Sequence, residues 1–157
     1  MESARLAVDE DLGAIVELAR EARDELTPLR GGAIWRQSSS RTDPLEVLLA
    51  QQISGETPDN CVIVGTIDGT VVGYAVSTIE QLRDGSKLAN VTDIFVAEQA
   101  RGVGVGDAMF NLILADGQSK GVVGIDAIAL PGDRQTKNFF ESHGLKARAL
   151  IVHRELG

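Results

Sequence analysis

Residues Val91–Phe110 read VTDIFVAEQARGVGVGDAMF and predict a strand, a glycine-rich loop and a helix in succession. The β-branched, alternating run up to Val96 is typical of a strand, and apolar residues at helical spacing from Val105 onward predict a helix. Between them lie three glycines at alternate positions, Gly102, Gly104 and Gly106. Glycines leave the backbone open to a ligand, and a helix start offers unpaired N–H groups and the positive end of the helix dipole. The stretch therefore predicts an anion-binding loop.

The spacing of the glycines narrows the class of loop. No Lys follows them, which excludes a Walker loop, and the order GxGxG differs from the GxGxxG fingerprint of dinucleotide-binding proteins. The pattern [Q/R]xxGx[G/A] is met by Arg101, Gly104 and Gly106, directly after the Ile94-Phe95-Val96 strand. This combination of strand, loop and helix resembles the acetyl-CoA loop of the GNAT N-acetyltransferases, and the likeness extends from about Val62 to Leu156.

The resemblance implies transfer of an acetyl or short acyl group from acetyl-CoA to a primary amine by direct attack. The backbone of Ile94, Phe95 and Val96 would then contact the pantetheine arm of the cofactor. The residues expected at its pyrophosphate are Arg101, Gly102, Val103, Gly104, Val105, Gly106 and Asp107. A tight strand-to-helix turn without a ligand is the alternative interpretation of the glycines alone.

Two positions depart from the family pattern in the segment LPGDRQTKNFFESHGL. Asp133 stands where the family has an Asn beside the CoA arm, and Phe140 stands where it has a Tyr next to the thioester sulfur. An Asp caps a helix and accepts hydrogen bonds but cannot donate as an amide does. Phe140 has no phenol to protonate the leaving thiolate, so we expect slower transfer, with the proton coming from water. Tyr74, the only tyrosine, is interpreted as a strand aromatic in preference to a substitute acid.

Asp93 is the candidate general base for the acceptor amine, since it precedes the pantetheine strand and shares a strand face with Phe95. A carboxylate on a central strand is either hydrated at a cleft or paired, and the sequence leaves both open. Asp126 is a lesser candidate. For the acceptor, Trp35 and Arg30 in the segment LRGGAIWRQSSSR either contact the substrate or anchor a loop.

Length, charge and the few cysteines and histidines narrow the possible functions of the chain. The 157 residues are enough for one domain, 1–157, with a full core. A net charge of −8 disfavours nucleic-acid or anionic-membrane binding and favours a cationic acceptor, such as a small-molecule or peptide amine. Arg30 and Arg36 beside Trp35 would instead fit an acceptor that carries a carboxylate or phosphate, and the sequence leaves both open. Cys61 lies in an apolar run and is expected to be a buried, inert thiol. The two histidines, His143 and His153, lack metal-site spacing, so no metal is expected. With no targeting signal at the N-terminus we expect a cytoplasmic protein, and a homodimer stays open.

The predicted fold is α/β: one mixed, mostly antiparallel sheet with helices on both faces, in the GNAT-like order βααβββαβαβ. The predicted strands are Arg5–Val8, 60–68, 71–82, 88–96, 124–130 and Ala147–Glu155, with a hairpin turn at Asp68-Gly69. Four helices are predicted. The first runs from about Glu10 to Leu26 after an Asp9 cap, and the second from Pro44 to about Ile53 with Leu45, Leu48 and Leu49 buried. The third runs from the glycine loop to Lys120, and the fourth from an Asp133 cap to His143. Residues 29–41 are predicted to be a loop.

The sequence also leaves two other functions open. One is a non-catalytic acyl-CoA sensor or scaffold, and the other is a structural domain with an empty loop.

Overall fold

The computed structural model describes residues 1–56 and 59–157. Within them, five strands form one sheet in the order β1-β2-β3-β4-β5. They are β1 (Glu2–Leu6), β2 (Asn60–Ile67), β3 (Thr70–Gln81), β4 (Lys87–Val96) and β5 (Gly124–Ala127). The first four are antiparallel neighbours, and β5 is parallel to β4. The helices are α1 (Leu12–Leu26), α2 (Gly32–Ser38), α3 (Leu45–Ser54), α4 (Val105–Lys120) and α5 (Arg134–Ser142). The predicted fold class is confirmed.

The sheet separates two apolar cores. Helices α1 and α3 pack on one face, where Ile15, Leu49 and Tyr74 are buried. Helices α4 and α5 pack on the other face, where Phe110 and Ile113 are buried. Strands β2 and β3 lie between the two cores, and this explains their nearly continuous apolar sequences. The hairpin between these two strands turns at Asp68 and Gly69, with φ of 49° and 84°, as the Asp-Gly pair predicts. No helix in the described ranges is long and apolar enough to cross a membrane.

The N-terminal elements differ from the prediction. Strand β1 starts at Glu2 and ends at Leu6, three residues before the predicted start and two before the predicted end. Asp9 does not cap a helix, because residues Asp9–Asp11 form a 3-10 turn without a side-chain cap. Asp11 instead accepts a hydrogen bond from the backbone N–H of Val8 at 2.8 Å and two from Arg5 at 2.7 and 3.0 Å.

The segment predicted to be a loop at 29–41 contains the short helix α2. Its first residue, Gly32, packs against the end of α1, where a Cβ atom would lie 2.2 Å from the carbonyl oxygen of Leu26. Tertiary packing, which has no local sequence pattern, therefore positions this helix. Helix α3 follows as predicted with Leu45 and Leu49 buried, but Leu48 is 46% exposed because residues four apart share the buried face.

The predicted last strand at Ala147–Glu155 is wrong. The chain there forms no strand, and β5 ends at Ala127 and not at Leu130. The observed order of elements is βαααβββαβα. The apolar composition of Ala149–Val152 is typical of a strand, but a ladder also needs a neighbouring strand edge, which the sequence pattern cannot specify.

Candidate functional site

Strand β4 is paired along only half of its length on the β5 side. The parallel ladder between β4 and β5 runs from Leu88 opposite Gly124 to Val91 opposite Ala127. Strand β4 continues to Val96, and within the described ranges no strand pairs with this last part on that side. The two strands therefore separate beside the glycine loop and leave a free backbone edge, where the carbonyl of Val96 accepts a hydrogen bond from Arg101 Nε at 2.8 Å.

A β-bulge interrupts β4 where the strands separate. Asp93 pairs with Val76 and Val91 pairs with Ser77, which leaves Thr92 as the extra residue. Bulges redirect side chains and are common near functional sites. Here the bulge precedes Asp93, whose carboxylate reaches the face that carries Tyr74 and α1.

The Asp93 carboxylate is paired. Oδ2 accepts hydrogen bonds from Arg41 Nε and from the Tyr74 hydroxyl, both at 2.7 Å. Oδ1 accepts from Arg41 Nη2 at 2.8 Å and from the Thr92 hydroxyl at 2.7 Å. The Arg41 and Asp93 side chains are only 14% and 10% exposed. The sequence left open whether Asp93 is hydrated or paired, and in the structure it is paired. Each of its carboxylate oxygens accepts two hydrogen bonds.

Burial, and then the negative charge of Asp93, raises the pKa of the Tyr74 phenol well above its ordinary value. Tyr74 therefore stays a neutral hydrogen-bond donor at neutral pH. Arg41 lies between α2 and α3, and sequence analysis did not identify it because no local pattern links it to Asp93, 52 residues away.

The glycine loop has the geometry of an anion cradle. Gly102 and Gly104 have φ of 84° and 95°, and a Cβ atom at Gly102 would meet nothing within 4 Å. Gly104 precedes α4, and within the described chain no carbonyl accepts a hydrogen bond from the N–H groups of residues 104–107. Val103 is 52% exposed at the loop, whereas Val105 is 1% exposed and packs into the α4–α5 core. These open amides fit a diphosphate.

The guanidinium of Arg101 is held by protein groups. Nη2 lies 3.0 and 3.1 Å from the two carboxylate oxygens of Glu25 in α1, and Nη1 donates to Gln135 of α5 at 3.4 Å. The guanidinium also lies 5.2 Å from the centre of the Phe95 ring. Arg101 therefore links α1, β4 and α5 around the loop.

Helix α5 packs against the start of α4. The Asp133 side chain accepts a hydrogen bond from the backbone N–H of Thr136 at 3.3 Å, which confirms the predicted cap. Phe140 is 6% exposed within the core, whereas Phe139 packs where a Cβ at Gly106 would be, 3.0 Å from its ring. His143 Nε2 lies 2.7 Å from a carboxylate oxygen of Asp107.

The candidate acceptor residues lie near the α1–α2 connection. Arg30 is exposed, and its carbonyl accepts a hydrogen bond from the N–H of Gly132 at 3.4 Å. Trp35 is half-buried on α2. Within the described residues neither side chain hydrogen-bonds to Asp93. Asp126, the lesser candidate base, is paired with Arg148.

The sequence profile of the acetyltransferase (GNAT) family matches residues 17–145. The chain belongs to this family. The match runs from within α1 to just beyond α5, so it includes β4, the glycine loop and Asp93. No curated protein matches this GNAT chain in sequence.

Solved structures share the GNAT fold at low sequence identity. A tetramutant of the BH1408 protein from Bacillus halodurans is 20% identical with a TM-score of 0.78, and the match covers 98% of this chain and 99% of that one. Glucosamine-6-phosphate N-acetyltransferase from Arabidopsis thaliana is 17% identical with a TM-score of 0.71, covering 100% and 99%. AAC(6')-Iy, in complex with the bisubstrate analogue CoA-S-monomethyl-acetylneamine, is 17% identical with a TM-score of 0.75, covering 100% and 99%.

Proposed function

We propose that this GNAT protein transfers an acetyl or short acyl group from acetyl-CoA to a primary amine by direct attack. One observation carries the proposal: the free edge of β4 leads directly into a loop whose amides at residues 104–107 have no carbonyl partner. Such a continuous run of backbone donors and acceptors suits a ligand that has an amide-containing arm and a diphosphate. The bound acyl-CoA supplies an activated thioester, and the chain holds it next to the amine.

The loop and α5 bind the cofactor in this proposal. The N–H groups from Gly102 to Asp107 donate to the diphosphate, and Arg101 braces the loop through Glu25. The backbone of Ile94, Phe95 and Val96 pairs with the pantetheine arm as an added strand would. Asp133 fixes the start of α5. Because Phe140 has no hydroxyl group and contributes only apolar contact, water protonates the leaving thiolate.

Asp93 accepts the proton of the attacking amine in this proposal. Of its four donors, the Thr92 hydroxyl is the one on an exposed residue, so an amine or a water molecule replaces it with the least rearrangement. Arg41 offsets the charge of the carboxylate and disfavours a second cation beside it. The arrangement therefore favours the neutral, nucleophilic form of the amine.

The acceptor is a small-molecule or peptide amine that approaches past Trp35 and Arg30. The net charge of −8 favours a cationic molecule. The names of the structural neighbours support an amine acceptor, since one acetylates glucosamine-6-phosphate and another holds a CoA conjugate of an acetylneamine.

Acetyl-CoA turnover with a panel of primary amines tests this function. We expect thiol release that depends on the amine, with a product heavier by one acetyl group. Val103→Glu places a carboxylate at the loop without altering a glycine, and repulsion of about 1.4 kcal/mol weakens CoA binding roughly tenfold. The matched control is Val47→Glu on α3, a valine with a similar exposure of 54%. Equal CoA affinity in both variants would contradict the loop assignment.

A non-catalytic acyl-CoA-binding protein is the second candidate. It is favoured by the four donors already on Asp93 and by Phe140 in place of a phenol. Saturable CoA binding without turnover on any amine would favour this sensor or scaffold over the enzyme.

A further inference from the structure

A histidine at the end of α5 contacts the first turn of α4. His143 Nε2 lies 2.7 Å from a carboxylate oxygen of Asp107. The centre of the imidazole ring lies 4.6 Å from that of Phe110 and 4.7 Å from that of Phe139. The His143 side chain is only 15% exposed, whereas that of Asp107 is 62% exposed. The two aromatic rings therefore hold the imidazole against α4, and the carboxylate between it and the solvent stays accessible.

The glycine loop has negative charges beside its open amides. Asp107 belongs to the turn of α4 whose N–H groups, at residues 104–107, have no carbonyl partner within the described chain. On the β1 side, a Cβ atom at Gly104 would lie 3.8 Å from a carboxylate oxygen of Glu2. Within the described residues, the ion-pair partner of Asp107 is His143, and no Lys or Arg pairs with it. A diphosphate at these amides is therefore repelled by Asp107 unless His143 offsets its charge.

Asp107 is the titratable group that α4 presents to His143. Within the described ranges, the other charged residues on α4, on α5 and just after them form no hydrogen bond or ion pair with the imidazole. These residues are Asp116, Lys120, Arg134, Lys137, Glu141 and Lys146. Four of them form two ion pairs with each other, at 3.0 and 2.8 Å. The protonation state of the imidazole therefore acts mainly on the charge of Asp107.

We propose that His143 is a positioning residue for the diphosphate of acyl-CoA, which acts through Asp107 and makes cofactor binding depend on pH. This inference rests on the proposed function, because it needs CoA at the glycine loop. A carboxylate only accepts hydrogen bonds, so a neutral imidazole donates its Nε2 proton to Asp107 and leaves the negative charge in place. An imidazolium offsets that charge.

The direction of the pH dependence follows from these two states. Histidine is the side chain that ordinarily changes its charge between about pH 5 and 8. A bound diphosphate adds negative charge beside Asp107 and therefore favours the imidazolium. By linkage, protonation of His143 favours binding to the same extent, so acyl-CoA binds more tightly as the pH falls through the histidine titration.

Calorimetric titration of the full chain with dephospho-CoA, at about pH 5.5 and about pH 8, tests this role. Dephospho-CoA keeps the diphosphate but lacks the 3′-phosphate, whose own ionisation near about pH 6 would overlap that of a histidine. We expect the affinity to be roughly three- to tenfold higher at the lower pH. Near neutral pH, binding should take up a fraction of a proton, measured from the binding heats in buffers of different ionisation enthalpy.

Three variants separate this role from a structural one. His143→Gln keeps a hydrogen-bond donor for Asp107 but has no charge at either pH, so the pH dependence and the proton uptake should disappear. Asp107→Asn removes the carboxylate and should raise the affinity at the higher pH by roughly three- to tenfold. The matched control is His153→Gln at the other, exposed histidine, and it should keep the pH dependence of the natural sequence. Proton uptake by the natural sequence and by H153Q needs no change at His143, so the test stands even if H143Q does not fold.

Saturable binding with equal affinity at the two pH values would overturn the role of His143 and leave the proposed function standing. A pH dependence that persists in folded H143Q or disappears in H153Q would do the same, and so would an unchanged affinity of D107N at the higher pH. If neither dephospho-CoA nor CoA binds at either pH, the proposed function fails, and this inference fails with it.

Discussion

At the scale of single residues, the Arg41–Asp93 pair connects the sheet to the segment between α2 and α3. Both side chains are nearly buried, and the contact is bidentate. Removing one member of a buried pair leaves an uncompensated charge, so the loss of stability is large compared with that of an exposed pair. The pair therefore holds the candidate acceptor side of the molecule against the β4 bulge.

Arg41→Met is expected to lower the free energy of unfolding by about 3 kcal/mol. The matched control is Arg20→Met, which removes an exposed contact between Arg20 and Glu17 of 2.6 Å and costs about 0.5 kcal/mol or less. Urea denaturation of the two variants measures both losses. Equal losses in the two variants would show that Asp93 does not depend on Arg41 for its charge balance.

The only tyrosine gives a pH-dependent prediction. Burial and the Asp93 charge raise the pKa of Tyr74, so the folded state holds the phenolic proton more tightly than the unfolded state. This stabilisation is complete below the ordinary pKa of 10.0 and is lost as the pH rises above it. We expect tyrosinate absorbance to appear only together with loss of circular dichroism in alkali. Ionisation with a midpoint near the ordinary value in a chain that is still folded would refute this.

At the scale of elements, local rules predicted some features and missed others. The Asp68-Gly69 turn, the Asp133 cap and the end of α4 at Gly121 depend on neighbours in sequence, and all three are confirmed. Helix α2 and the absence of a strand at Ala147–Glu155 depend on contacts between distant segments, and both were predicted wrongly. The predicted Asp9 cap is wrong for the same reason, because Arg5 on β1 and the Val8 N–H hold the carboxylate of Asp11 instead.

Asp11→Ala is expected to cost about 2 kcal/mol of stability, because it removes a buried acceptor of charged and backbone donors. Asp9→Ala, at an exposed residue two positions earlier, is the control and should cost less than about 0.5 kcal/mol.

The contribution of Asp11 to stability depends on pH. Hydrogen bonding from Arg5 lowers the pKa of Asp11, so the stabilisation is present above the ordinary pKa of 3.8 and is lost as the pH falls below it. Urea midpoints between neutral and acid pH should therefore fall less in D11A than in the natural sequence. A similar acid dependence in D11A and in the natural protein would contradict this account.

At the scale of the whole molecule, the candidate site lies where the two cores meet. Asp93 and Phe95 face α1 and α3, whereas the glycine loop leads into α4, whose buried side chains belong to the other core. The GNAT pattern predicted the loop because it is continuous in sequence. It could not predict Arg41 or Glu25, which approach from the first half of the chain. The geometry of the site depends on both cores staying attached to one sheet.

Because β2 and β3 are covered by both cores, we expect the chain to unfold as one unit, in agreement with a single domain. Leu49→Ala removes a fully buried side chain from the α1–α3 core, and Ile113→Ala removes one that is 1% exposed from the α4–α5 core. Each should cost about 2–5 kcal/mol. In both variants, the urea midpoint measured by Trp35 fluorescence should fall together with the midpoint measured by far-ultraviolet circular dichroism. Trp35 lies on α2, at the α1 side of the sheet, so its fluorescence reports directly only on that side. If I113A lost circular dichroism at a lower urea concentration than Trp35 fluorescence, the two cores would be separate folding units, and a site built from both would form only when both are folded.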